Sequence, residues 1–180
     1  MRKEIEVKAR VNNLDFLESK LRELGCQFSS PIRQDDKLFY NYEGDYATQH
    51  MGLNILRIRK QDDIFLFTIK QSQTNELDCI EYETEIKDPK ALEQALLLMG
   101  YRQAVELHKI RRKTKYNDLE ICLDQVEKLG NYVEVEKLAE DAEAEKIQGE
   151  LFDFLMTLSV KAEDREMRGY DTLMWLKENK

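Results

Sequence analysis

Near its start the chain reads Glu4-Ile5-Glu6-Val7-Lys8-Ala9-Arg10-Val11. Charged and apolar residues alternate with a period of two. An extended backbone therefore puts Glu4, Glu6, Lys8 and Arg10 on one face and Ile5, Val7, Ala9 and Val11 on the other. A helix would scatter both sets around its circumference, so residues 3–11 are expected as a strand with one charged and one apolar face. The segregation recurs along the chain. Arg57 and Arg59 oppose Leu56 and Ile58; Glu81, Glu83 and Glu85 oppose, less cleanly, Ile80, Tyr82 and Ile86; Lys109, Arg111 and Lys113 share a face. Glu120, Cys122 and Asp124 oppose Leu119, Ile121 and Leu123, and Glu134 and Glu136 oppose Val133 and Val135. One such strand is the ordinary solvated side of an antiparallel sheet. Six of them admit a second arrangement, a sheet curled so that its charged face lines an interior channel while helices cover the apolar outside.

The remaining elements follow from punctuation. Asn12 or Asn13 caps a helix carrying Leu14, Leu17, Leu21 and Leu24 that stops at Gly25. Asp88-Pro89 opens a second helix carrying Leu92, Leu96 and Met99 that stops at Gly100. Strands are expected at 35–42, 53–60, 63–71, 79–87, 104–116, 118–126 and 131–138. The last forty residues read as helical around Phe152, Leu155 and Leu158, then Leu173 and Leu176. No Gly-, Ser- or Pro-rich linker divides the chain, so residues 1–180 are expected to form a single domain. At an offset of 75, Glu6 falls on Glu81, Leu17 on Leu92, Leu21 on Leu96, Leu24 on Met99 and Gly25 on Gly100. That is the signature of a weak internal repeat of strand, capped helix and strand.

Composition narrows the function. The 180 residues carry a formal net charge of −8 with 36% charged side chains, above the roughly 25% of ordinary globular usage. The acidic balance argues against a nucleic-acid partner, which needs a basic footprint. No apolar run approaches a membrane span and the first residues offer no signal sequence, so no membrane partner and a cytoplasmic location are expected. Cys26, Cys79 and Cys122 lie too far apart for a zinc or CxxC motif and read as reduced and structural. His50 and His108 are the only histidines, poor support for a His-rich metal site or a Ser-His-Asp hydrolase. Glycine is scattered, with neither a P-loop nor a GxGxxG motif. Phosphate, if handled, is handled by side chains.

The charged faces suit that task. Lys and Arg converging from several strands bind a compact polyanion such as a triphosphate. Clustered carboxylates repel one another unless a hard cation sits among them, and Mg²⁺ and Mn²⁺ take oxygen ligands from a few carboxylates plus substrate phosphates. An acidic cluster beside a basic one reads as a metal–triphosphate site; without a ligand it reads as a salt-bridge lattice.

These residues also carry a family resemblance. Glu4-Ile-Glu-Val-Lys8 is ExExK, followed in order by Gln34-Asp-Asp-Lys-Leu-Phe-Tyr40, Leu56-Arg-Ile-Arg59, Thr68-Ile-Lys70, the Glu81/Glu83/Glu85 strand, Lys109-Ile-Arg111 and the segment Leu123 to Glu136 ending Val-Glu-Val-Glu. The chain resembles the CYTH superfamily of triphosphate tunnel metalloenzymes, and most the class IV adenylyl cyclase (CyaB-like) branch, over about residues 1–138 with a looser C-terminal match. The resemblance implies an α+β fold, an antiparallel eight-stranded β-barrel forming a tunnel with a charged interior and helices packed outside. It implies that Glu4, Glu6, Asp124, Glu134 and Glu136 bind Mg²⁺ or Mn²⁺. Lys8, Arg57, Arg59, Lys70, Lys109 and Arg111 would hold the triphosphate, with Lys70 also the candidate general base. Glu81, Glu83 and Glu85 occupy the place of lining acids. Where the family often has Ser-Tyr before the last helix, this chain has Gly169-Tyr170, so no role is carried over for that serine.

The activity implied is conversion of ATP to 3′,5′-cyclic AMP and pyrophosphate. The same residues would serve an inorganic or thiamine triphosphatase, since the outcome depends on which nucleophile stands in line. A binding protein without turnover is the third reading, and the intact ExExK speaks against it. The expected partner is a small-molecule triphosphate, ATP or tripolyphosphate; a homodimer is compatible with the sequence and not required by it.

Overall fold

The computed structural model describes residues 2–48, 51–140 and 143–179; His50 lies outside them. The class is the expected one, an α+β protein with an antiparallel eight-stranded β-barrel and helices outside. The eight long strands are β1 (Arg2–Arg10), β2 (Ile32–Tyr40), β3 (Asn54–Gln61), β4 (Ile64–Ser72), β5 (Asp78–Ile86), β6 (Arg102–Tyr116), β7 (Leu119–Val126) and β8 (Gly130–Glu140). The helices are α1 (Leu14–Glu23), α2 (Pro89–Leu98), α3 (Ala144–Thr157) and α4 (Tyr170–Glu178). Two compact units share the chain: Met1–Ile32 with Lys109–Met167, and Arg33–His108 with Arg168–Lys180.

In the first unit β1 pairs with β8, β8 with β7 and β7 with β6, all antiparallel. One face of this sheet offers Val7, Ala9, Ile121, Leu123, Val133 and Val135, packed with Leu17 and Leu21 of α1 and Leu151, Phe152 and Leu155 of α3. Each of those large side chains gains roughly 1.5–3 kcal/mol on leaving water, which is what draws both amphipathic helices to that face. In the second unit β2, β3, β4 and β5 pair in sequence as antiparallel neighbours. Phe39, Leu56 and Ile58 of that sheet pack with Leu96 of α2.

The repeat is visible in the helix ends. The Asn13 side chain accepts from Phe16 N at 3.0 Å, and Asp88, 75 residues on, accepts from Ala91 N at 2.9 Å. Gly25 and Gly100 close the two helices at φ +89° and +86°, a conformation that glycine enters at little cost. Each helix is followed by a strand and a hairpin, β3–β4 in one copy and β7–β8 in the other.

The C-terminal forty residues are not continuously helical. Ser159 turns the chain at φ +72°, residues Ala162–Asp164 form a 3-10 turn, and β9 (Arg165–Glu166) pairs with Lys8 and Ala9 of β1 before α4 begins. The apolar spacing predicted helix there, but Val160 is drawn into the α3 core cluster and Glu166 into the edge of the sheet. Strand β2 also starts earlier than its sequence suggests, directly after Pro31. The three cysteines are free and buried, as expected.

Candidate active site

With α1, α2 and α3 on the apolar faces, the charged faces are left, and their central side chains are withdrawn from solvent while Arg10, Glu83 and Glu85 stay exposed. Lys8 is 2% exposed, Asp124 0%, Glu134 6% and Arg59 6%. Buried charges of this kind demand partners, because an isolated ion loses several kcal/mol of solvation. The ordinary outer-face reading fails on that point.

In the first unit the charges stand in rows across the strands. Glu6 is opposite Glu136, which is opposite Glu120. Lys8 is opposite Glu134, then come Cys122 and Lys113; Asp124 is opposite Arg111. Lys8 Nζ lies 3.2 Å from Glu6 Oε1 and 3.2 Å from Glu134 Oε1. Arg111 reaches Asp124 through Nε at 2.7 Å and through Nη2, and the same Nη2 donates to Glu134. Lys109 Nζ is 3.6 Å from Asp124 Oδ2, and Lys113 is 2.5 Å from Glu120. Burial opposes the Glu134 carboxylate, but Arg111, Lys8 and Lys109 outweigh it and hold the group well below the usual carboxylate range. Burial also opposes the charge on Arg111; Asp124 and Glu134 more than restore it. Burial pushes the Cys122 thiol up to about 12, so this sulfur, sitting among the charges, is a neutral filler.

Glu6, Glu136 and Glu120 form a row of three carboxylates directly opposite one another, an arrangement that is unfavourable unless positive charge lies against it. The donor set is oxygen throughout and suits a hard divalent cation. Among the described residues no three acids are already drawn together as a metal-binding group. Asp124 and Glu134 are turned instead to Arg111 and the lysines, so holding a cation would require these ion pairs to exchange partners.

The second unit carries the opposite balance. Arg59 donates from Nε and Nη2 to the two oxygens of Asp36, both at 2.7 Å, and the two residues are directly opposite in the β2–β3 ladder. Arg57 Nη2 is spread over Thr68 Oγ1 at 3.0 Å, Glu83 at 3.3 Å and Glu81 at 3.8 Å. Lys70 Nζ is 2.8 Å from Glu81. Burial would raise the Glu81 carboxyl, but Lys70 and Arg57 overcome it and bring it down to about 2. Gln34 donates to Gln61 at 2.7 Å on the same face.

The sequence-derived candidates thus fall into two groups. Glu6, Lys8, Lys109, Arg111, Asp124 and Glu134 interlock in the first unit, with Glu136 in the adjoining row. Glu4 stands one step further along the same face, opposite Leu138. Arg57, Arg59 and Lys70 lie together in the second. Asp36, Thr68 and Glu120 join these groups although the sequence gives none of them a role in the site. Of the adjacent acids Asp35 and Asp36, only Asp36 faces Arg59; Asp35 bonds to Arg33 and His108 on the other side. Period-two alternation measured from Gln34 marks that difference, yet a role for Asp36 needs the β2–β3 register. Trp175 is half-buried on α4, its ring 5.3 Å from that of Tyr46 and its Nε1 3.0 Å from Asp45. The Gly169 departure has a local setting. A Cβ there would stand 2.2 Å from Asp171 Oδ1, and the other Asp171 oxygen accepts from the Tyr46 hydroxyl at 2.5 Å.

A protein of Methanocaldococcus jannaschii named "Putative adenylate cyclase MJ0240" is 27% identical over 170 residues, covering 93% of this chain and 95% of its own. The solved PH1819 protein of Pyrococcus horikoshii superposes with a TM-score of 0.80 at 26% identity, over 97% of this chain and 99% of that one. The solved "Putative adenylyl cyclase HpAC1" of Hippeastrum, for which a dominant triphosphatase activity is stated, shares the fold with a TM-score of 0.63 at 18% identity, over 100% and 97% of the two chains. The CYTH domain model matches residues 2–170, from the ExExK strand to the start of α4, and the chain belongs to the CYTH family.

Proposed function

We propose that the chain is a metal-dependent enzyme acting on triphosphates, with the class IV adenylyl cyclase reaction, ATP to 3′,5′-cyclic AMP and pyrophosphate, as its activity. The observation that carries this reading is the buried interlock of Lys8, Lys109 and Arg111 with Glu6, Asp124 and Glu134. An apolar core does not need it, and a cation–polyanion complex would match it charge for charge. Glu4, Glu6, Asp124, Glu134 and Glu136 would hold Mg²⁺ or Mn²⁺, which when bound neutralises charge developing on the phosphates. Lys8, Lys109 and Arg111 in the first unit and Arg57, Arg59 and Lys70 in the second would hold phosphate oxygens. In the first unit ligand entry is then an exchange of ion pairs: Lys8, Lys109 and Arg111 leave the carboxylates for phosphate, freeing the carboxylates. Because the charges are already desolvated and oriented, little reorganisation remains at the reacting step. Lys70 would orient the α-phosphate or take the proton of the attacking ribose 3′-hydroxyl; the latter requires release from Glu81, since a carboxylate at 2.8 Å keeps the ammonium charged.

Hydrolysis of the terminal phosphate is the second reading. It is favoured by the site's chemistry, in which every named contact suits phosphate and none distinguishes a nucleobase, and by the activity stated for HpAC1. Parallel incubation with ATP and with tripolyphosphate, in Mg²⁺ and in Mn²⁺, separates the readings. Cyclic AMP with pyrophosphate is the expected product set. Orthophosphate selects the triphosphatase, and binding without product selects a sensor.

A further inference from the structure

Asp36 belongs to none of the proposed ligand sets, yet it is 3% exposed and carries a buried carboxylate. Both its oxygens meet Arg59, one at Nε and one at Nη2, in a fork that fixes the guanidinium plane. Arg59 has no other hydrogen-bond partner among the described residues, so the Nη1 edge of the same plane is left for a ligand. Arg57, one step along the same face, is shared loosely among Thr68, Glu81 and Glu83. The two arginines therefore differ: one is clamped from behind and the other can re-pair.

The internal repeat supplies an independent observation. Asp36 is directly opposite Arg59 across β2–β3, and 75 residues after Asp36 Arg111 is directly opposite Asp124 across β6–β7. Both pairs are buried and joined in the same Nε-and-Nη2 manner, with the signs interchanged. Both copies of the strand pair keep the fork, so it is tied to that position in the fold. The copies differ in which strand carries the cation.

We propose that Asp36 is the positioning residue for Arg59, holding the guanidinium with its Nη1 edge presented to a phosphate group of the substrate. The inference rests on the triphosphate reading. Asp36 itself touches no phosphate; it removes the rotamer freedom that a free arginine would lose on binding.

Two variants of the full chain test it, with tripolyphosphate as the probe. Calorimetric titration with the unaltered protein comes first: no binding there overturns the triphosphate reading, and this inference with it. If the unaltered protein binds, Asp36→Asn is expected to weaken binding, or raise KM, about tenfold while changing kcat less, because the step lost is positioning before chemistry. Added to Arg59→Lys it should cost nothing more, since it acts through Arg59. The exchanged pair D36R/R59D keeps the buried fork in the polarity of Arg111 and Asp124, and guards against a Asp36→Asn protein that does not fold. A melting temperature near that of the unaltered chain, with binding lost as severely as in Arg59→Lys or worse, supports the proposal. Unchanged affinity in folded Asp36→Asn, additive losses in the double variant, or full affinity in the exchanged pair overturns it.

Discussion

The β1–β8–β7–β6 face of the first unit and the β2–β3–β4–β5 face of the second are built alike and charged differently. Each is an antiparallel sheet with an apolar side against helices and a charged side whose centre is buried, around Lys8, Asp124 and Glu134 in one and around Asp36 and Arg59 in the other. In the first, acids occupy the inner strands β7 and β8, where Asp124 and Glu134 crowd around one arginine. In the second, the inner strands β3 and β4 carry Arg57, Arg59 and Lys70, and the acids Asp36, Glu81 and Glu83 come from the flanking strands. One scaffold thus displays two polarities. A strand ladder fixes where side chains meet and leaves their sign free, so a repeated unit can present carboxylates in one copy and guanidinium groups in the other.

The largest expected effect tests how much the first face depends on Arg111. Arg111→Leu leaves Asp124 and Glu134 each short of a buried partner and should destabilise the fold by about 3–5 kcal/mol. Arg57→Leu, at a partly solvated site, should cost about 1 kcal/mol or less. Urea unfolding of the two variants compares them directly, and equal losses would show that the first face depends on Arg111 no more than the second depends on Arg57. Next comes activity. Glu6→Gln and Glu136→Gln should each lower turnover on the order of a hundredfold, and chelation of divalent metal should do the same, whereas Glu85→Gln in the second unit should change it by less than about threefold. Full activity of both first-unit variants, or activity in excess chelator, would remove the metal from that face. The smallest effect is in acid. Glu81 titrates at about 2 rather than at its ordinary 4.5. A depressed carboxylate contributes stability that is fully present above pH 4.5 and lost as pH falls toward 2. Glu81→Gln should therefore flatten the melting-temperature profile across that window by an amount worth about 1–2 kcal/mol, the partly exposed Lys70 screening the rest. An unaltered profile would show that the Lys70 pair adds nothing to the fold.

Much of this was legible in residue order. Alternation over residues 3–11 placed β1 to within a residue at each end, and Asn13, Asp88, Gly25 and Gly100 marked helix boundaries because caps and left-handed closures have few chemical solutions. The candidate cations and acids on β3, β6, β7 and β8 were marked by the same period, and Lys70 on β4 by the family resemblance alone. The stretch from Ser159 to Gly169 was not legible: its apolar spacing fits a helix, and pairing with Lys8 and Ala9 overrides a local preference that is weak by comparison. Asp36 was hidden for a related reason. Two adjacent acids look alike until a neighbouring strand supplies an arginine to one of them.

By itself the sequence determined the period of β1, β3, β7 and β8, the ends of α1 and α2, and the sidedness of the charges on those strands, since each depends on residues within a few positions of one another, and the order of its motifs along the chain carried the family. Tertiary structure alone decided which charges are buried, which carboxylate holds which base, and that the two copies of one fork carry opposite polarity. Those outcomes depend on register between strands up to about 130 residues apart, as for Lys8 and Glu134, and register is set by packing the apolar faces against the helices rather than by the charges themselves.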